Sequence, residues 1–162
     1  MEEVQYCADP ARVRMFHGVP AALARLKAAG FRNIIVTNQS GIGRGLFTLD
    51  QYQSVQAELL RQIGPGLIDA TYYCADAPGE VSLRRKPRPG MVLEAAAAHS
   101  IDLENSFFIG DKTSDIDCGR AAGTTTILVA TGYGAYQECH PTYRARDLTE
   151  AVNLVLGSHS VC

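Results

Sequence analysis

Tryptophan is absent from the 162 residues, and no apolar run approaches the roughly 20 residues that a membrane-spanning helix needs. No secretory signal pattern opens the chain, so a cytoplasmic protein is expected. Charge of one sign is missing too: 15 Lys and Arg stand against 17 Asp and Glu, for a formal net charge of −2. That balance offers no electrostatic footprint for nucleic acid or an anionic membrane. The five cysteines, Cys7, Cys74, Cys118, Cys139 and Cys162, show no CxxC or Cys/His spacing. An odd, dispersed count argues for reduced thiols and against a structural zinc site. His17, His99, His140 and His159 are equally isolated and read as surface or packing residues. What is present is ordinary for a globular protein, with 46% hydrophobic and 20% charged residues and a length that suits one domain.

Helical and strand patterns alternate along the chain. "GVPAALARLKAAG" has Pro20 near a helix start and Gly30 where a C-terminal cap belongs. "NIIVTNQ" is a β-branched run ending in polar residues. "TLDQYQSVQAELLRQIG" opens with Thr48 and Gln51 in capping-box spacing, and Leu49, Tyr52, Val55, Leu59, Leu60 and Ile63 give it an apolar face. "DATYYC" reads as a strand, "APGEVSLRRKPRPG" as a loop and "MVLEAAAAH" as a helix. "SFFIG" is the next strand, and "SDIDCGRAA" a helix with Ser114 as N-cap and Gly123 past its end. "TTILVAT" follows as a strand, "GYGAYQECHPTYRARD" as a loop with a short edge strand near Arg144, and "LTEAVNLVL" as the last helix. Such alternation with continuous apolar strands predicts a parallel sheet covered on both faces. The series opens on a helix, which is unusual for that class, and "YCADPARVRMFHG" before it has room for at most a short strand.

In open α/β sheets, ligands bind beyond the carboxyl ends of the strands. Two strands end in polar groups, "IIVTNQSG" and "FFIGDKTSD". Thr37, Asn38, Gln39 and Ser40 bring hydroxyls and amides, and Gly41, Gly43 and Gly45 leave backbone N–H groups accessible. Asp111 and Asp115 offer oxygens suited to a hard cation such as Mg2+. Asp117 fits better as a first-turn helix acid. Lys86 lies between the two strands in "RRKPRPG". A hydroxyl, a lysine and an acid-held cation together suit the spread charge of a phosphoryl group in transfer. Each feature alone is weak: glycine-rich turns are common, the GxxxxGK spacing of a P-loop is missing, and a Gly-Asp after a strand serves helix capping as readily.

The conjunction and order of "IIVTNQSGIGRGLFT", "RRKPRPGM" and "FFIGDKTSDIDCGRAAGT" resemble the second, third and fourth motifs of the haloacid dehalogenase (HAD) phosphatases. The likeness is greatest to the subgroup of heptose bisphosphate and histidinol phosphatases, and extends over residues 4–156. It implies a three-layer Rossmann-like HAD fold with a mainly parallel sheet and no cap domain, with residues 1–162 forming a single domain. It implies a Mg2+-dependent phosphomonoesterase acting on a small phosphorylated sugar or metabolite such as a heptose bisphosphate. Thr37 with Asn38 would hold the transferring phosphate. Lys86 would neutralise the nucleophile and phosphoryl oxygens, and Asp111, supported by Asp115, would ligate Mg2+. Arg85, Arg44 and Lys112 would engage the rest of the substrate. A monomer with no nucleic-acid or membrane partner is expected.

Two departures qualify the resemblance. A Cys/His zinc loop precedes the lysine motif in the heptose phosphatases; "YYCADAPGEVSLRRKP" keeps only Cys74, with Asp76 and Ser82 nearby, so no zinc is expected. The family's first motif, an apolar strand ending in DxDGT that carries the nucleophile and the general acid, is not found. Asp9, before Pro10, has a turn-like setting instead. "MEEVQYCADPARVRMF" resembles the segment that follows that motif, which predicts a chain lacking the central N-terminal strand, truncated relative to the family, with little activity of its own. The alternative is a non-catalytic phosphate-binding or regulatory protein that has shed the motif. A receiver-type signalling domain also sets acids and a lysine at strand ends, but "VTNQSG" and "RRKPRPG" do not suit it.

Overall fold

A computed structural model describes residues 7–159. The elements are α1 (Val19–Ala28), β1 (Ile34–Asn38), α2 (Ser40–Gly43), α3 (Leu49–Ile63), β2 (Ala70–Cys74), α4 (Gly90–His99), β3 (Phe107–Gly110), α5 (Thr113–Ala121), β4 (Thr125–Val129), β5 (Tyr143–Ala145) and α6 (Leu148–His159). The chain divides into two compact units, Met1–Ser82 and Leu83–Cys162.

In the first unit, β1 and β2 pair in parallel with Ile34 opposite Ala70 and Asn38 opposite Cys74. A parallel pair needs a crossover, and α3 supplies it. Its Thr48 side chain accepts from the Gln51 N–H at 3.2 Å, and Gln51 Oε1 accepts from the Thr48 N–H at 2.8 Å. Such a cap contributes about 1 kcal/mol. Tyr52, Val55 and Ile63 form the buried face of α3, while α1 buries Ala22 and Leu26. Gly30, at φ +88°, adopts the left-handed turn expected past the end of α1.

The second unit carries a three-stranded parallel sheet in the order β3–β4–β5, with Ile109 opposite Ile127 and Ile127 opposite Tyr143. β4 lies between the other two and is the most buried, with Ile127 and Leu128 almost fully covered. Helix α5 packs on β3 and β4, and α6 on all three strands through a face that buries Ala151, Val152 and Val155. The parallel α/β reading therefore holds within each unit.

Local expectations differ in three places, while Asp9 has the turn-like setting expected of it. Ser114 is not the cap of α5: it lies inside the helix, and Lys112 occupies the N-cap. Asp117 lies past the first turn of α5, which belongs to Asp115, and pairs with Arg120 at 3.6 Å. The glycine-rich stretch after β1 winds into the short helix α2 instead of staying a turn. Residues 7–18 contain a 3-10 helix, Pro10–Arg12, whose N-cap Asp9 accepts from the Ala11 N–H. The edge strand near Arg144 is found as β5. His159 and Cys162 have side chains outside the described residues.

Candidate active site

The acid-rich stretch sits where β3 hands over to α5 in the second unit. A helix start leaves backbone N–H groups without intrahelical acceptors, and the N-cap Lys112 has no acceptor to offer them. Asp115 fills that role from within the first turn. Its Oδ2 accepts from the N–H groups of Asp111 at 3.2 Å and Lys112 at 3.1 Å. Its Oδ1 meets the Lys86 ammonium at 2.7 Å, with only 8% and 10% of the two side chains exposed. Gly110 makes this fold-back possible: a Cβ there would lie 2.3 Å from Asp115 Cβ. A buried carboxylate with both oxygens engaged and a buried ammonium opposite it is electrically closed.

The loop that presents Lys86 is held from several sides. The Gly90 N–H donates to Leu83 O at 3.0 Å, and the Arg88 N–H to Arg85 O at 2.9 Å. Arg84 pairs with Glu94 at 3.0 Å. From below, the fully buried Cys118 thiol donates to Arg88 O at 3.4 Å. Burial pushes that thiol up to about 11, so it stays a neutral donor. The Lys86 ammonium also lies 5.8 Å from the Phe108 ring centroid.

Asp111 is the acid that is not closed. It is partly buried, and its Oδ2 accepts from the Tyr133 N–H at 3.1 Å. Burial raises its affinity for a proton, the Asp115 charge raises it further, and Lys112 and Lys86 pull the other way with a smaller effect; the net shift is upward. Two oxygen-bearing acids set together under mutual repulsion are a donor set that fits a hard divalent cation. Among the described residues no group of three or more His, Cys, Asp or Glu is arranged to hold a metal.

Thr37, Asn38 and Arg44 belong to the first unit. Thr37 and Asn38 end β1, where the sequence placed them, and Thr37 Oγ1 accepts from Gln39 Nε2 at 3.0 Å. Arg44 is exposed at the C-cap of α2. In the same unit the buried Cys74 thiol donates to Asp76 Oδ2 at 3.2 Å and lies 3.6 Å from Ser82 Oγ. Of the sequence-predicted residues, Lys86, Asp111, Lys112 and Asp115 are brought together, and Arg85 shares the lysine's loop. The reading of the sequence missed the segment after β4. There Tyr133 contacts Asp111, and Gln137 Oε1 accepts from Thr113 N and Oγ1 at 2.9 and 3.0 Å. An aromatic between two glycines directly beyond a strand, "TGYG", was the available signal.

Parallel α/β units with an acid-and-lysine cluster beyond a strand end suit phosphoryl-handling proteins, hydrolases and receiver domains alike, and comparison with known proteins decides between them. The model of the HAD-hydrolase-like family matches residues 83–151. The chain belongs to the HAD-like phosphatases, hydrolases of phosphoric monoesters. It is 36% identical over 142 residues to the D-glycero-beta-D-manno-heptose-1,7-bisphosphate 7-phosphatase of Helicobacter pylori strain J99, covering 85% of this chain and 80% of that one. It is 35% identical over 174 residues to the D-glycero-D-manno-heptose-1,7-bisphosphate 7-phosphatase of Thermosynechococcus vestitus, covering 95% and 89%. Among solved structures, the D,D-heptose 1,7-bisphosphate phosphatase of B. bronchiseptica, complexed with magnesium and phosphate, superposes with a TM-score of 0.87 at 28% identity, over 94% of this chain and 89% of that one.

Proposed function

We propose that this chain is the body of a Mg2+-dependent phosphatase of a small phosphorylated sugar, with a heptose bisphosphate as the first candidate substrate. The observation that carries the reading is the buried Lys86–Asp115 pair beside the partly buried Asp111, whose carboxylate accepts from the Tyr133 N–H. Asp111, with Asp115 behind it, would hold the cation, which lends positive charge to the phosphoryl oxygens when bound. Lys86, fixed by Asp115, supplies a second positive charge that needs no reorganisation during transfer. Thr37 and Asn38 would hold the phosphate, and Arg85, Arg44 and Lys112 the remainder of the substrate. We read the whole chain as one HAD-like hydrolase domain, a monomer of the cytoplasm that binds neither nucleic acid nor membrane. The near-neutral charge supports the first of those exclusions, and no helix among the described residues is long and apolar enough to cross a membrane.

The nucleophile of the family's chemistry belongs to a DxDGT motif that residues 1–162 do not contain. The test follows from that. A polypeptide of these residues, given Mg2+ and a panel of phosphorylated sugars, should turn them over poorly. The same polypeptide preceded by an apolar strand ending in DxDGT should gain turnover, and Lys86→Ala in that extended form should lower it by about 10²-fold or more. Ordinary turnover unaffected by Lys86→Ala would overturn the reading. Binding without hydrolysis by the extended form would point to the non-catalytic alternative.

A further inference from the structure

The segment after β4 is moulded onto the acid-rich turn at three successive residues. The Tyr133 N–H donates to Asp111 Oδ2 at 3.1 Å. The Tyr133 ring lies under the Lys112 ammonium, 4.1 Å from its centroid. Gln137 takes the Thr113 N–H and hydroxyl. Gly132, at φ +67°, leaves the space this needs, since a Cβ there would lie 2.3 Å from Asp111 Oδ2. The fit is thus between one loop and one tripeptide, Asp111–Lys112–Thr113.

Lys112 is otherwise exposed. A solvated lysine samples many rotamers, and fixing it costs up to about 2 kcal/mol of side-chain entropy. An aromatic face under the ammonium offsets part of that cost without neutralising the charge, as a carboxylate partner would. The contrast with Lys86 is direct, because Lys86 is matched by Asp115 while Lys112 is steadied by a ring.

We propose that Tyr133 is a positioning residue with two separate handles. Its ring holds Lys112 ready for an anionic, phosphate-bearing group of the substrate, and its backbone N–H holds the Asp111 carboxylate for the cation. This rests on the phosphatase reading above for what Lys112 and Asp111 bind. The two handles predict two separable losses.

The experiment is calorimetric titration of the 162-residue protein with Mg2+ alone, and with inorganic phosphate in its presence, at low salt. Tyr133→Phe keeps both handles and should match the wild type. Tyr133→Ala keeps the N–H and loses the ring, so phosphate should bind about two- to fivefold more weakly while Mg2+ affinity stays within about twofold. On a Lys112→Ala background the same substitution should change phosphate binding no further. Gly132→Ala should weaken Mg2+ binding instead. Proton NMR gives a readout independent of ligand: the Lys112 ε-methylene should be shifted upfield in the wild type, retained in Tyr133→Phe and lost in Tyr133→Ala. Wild-type phosphate affinity in Tyr133→Ala, or no upfield shift in the wild type, would overturn the proposal. A protein that takes up neither Mg2+ nor phosphate, both as these 162 residues and when preceded by an apolar strand ending in DxDGT, would overturn the functional reading itself, and with it the ligand role given to Lys112.

Discussion

Among the described residues, each unit contains a buried or half-buried lysine–aspartate pair, the two of nearly equal length, and they do different work. In the first unit Lys27 meets Asp69 at 2.6 Å, and Asp69 also accepts from the Asn33 N–H at 2.7 Å. Asn33 and Asp69 stand just before β1 and β2, at the amino ends of the strands. In the second, Lys86 meets Asp115 at 2.7 Å beyond the carboxyl end of β3. Burial works against the Asp69 charge, yet Lys27 and the Asn33 N–H outweigh it and hold the carboxyl below its ordinary value. Asp115 also has an ammonium and two N–H groups as partners, while Asp111 beside it is pushed upward, first by burial and then by the Asp115 charge. The pair at the strand starts closes on itself, whereas the pair at the strand end leaves one carboxylate over. That surplus, and not the ion pair, is what the proposed cation site would use.

Breaking the second pair should have the largest effect. Asp115→Ala takes the buried carboxylate away from the Lys86 ammonium and frees the N–H groups of Asp111 and Lys112, which should cost about 3 kcal/mol or more. Urea unfolding at neutral pH measures it. The double change Lys86→Met with Asp115→Leu removes both charges and should recover a good part of the loss, because the cost lies in leaving one charge unmatched. A single substitution as mild as a surface change would mean that the pair is solvated and the contrast between the units false.

These pairs differ in how they could be read from the sequence. Strands, the crossover helices and the Thr48–Gln51 cap follow from local pattern, since periodicity and capping act within a few residues. Asp111, Asp115 and Lys86 were legible because a strand ending in Gly-Asp and a lysine before proline occur together in order. Tyr133 and Gln137 were not, because their partners lie 22 to 24 residues away and no periodicity links them. Ser114 was the natural candidate for a cap by its residue type, but Asp115 and Gln137 satisfy the helix start from the side and displace it. The Lys27–Asp69 pair spans 42 residues and was equally hidden.

The first pair should be the weaker of the two, because 30% of Lys27 and 18% of Asp69 stay exposed. Asp69→Asn keeps an acceptor for the Asn33 N–H and removes the ion pair, so a loss of about 1 kcal/mol is expected at neutral pH. Its pH dependence identifies the cause. The folded value of Asp69 lies below the ordinary 3.8, so its contribution is complete above 3.8 and fades as pH falls through the lower folded value. The gap between wild type and Asp69→Asn in urea midpoint should therefore be constant from pH 7 to 5 and shrink in stronger acid. A gap that survives acid would assign the effect to packing.

The smallest effect tests the units from the opposite direction. Among the described residues the only buried side-chain polar atom without a partner is the Tyr52 hydroxyl, in the first unit. Tyr52 is 5% exposed, and its ring lies 4.9 Å from that of Tyr73, tilted by 48°. Burial, with a smaller effect from Tyr73, pushes the phenol up to about 12. An unmatched buried hydroxyl costs about 1–3 kcal/mol in desolvation, while the ring it sits on is well packed. Tyr52→Phe keeps the ring and removes that cost, so the variant should be equal to the wild type or more stable by up to about 1 kcal/mol in urea unfolding. A loss of stability would show that the hydroxyl finds a partner in solution, and that the core of the first unit is as fully satisfied as the acid turn of the second.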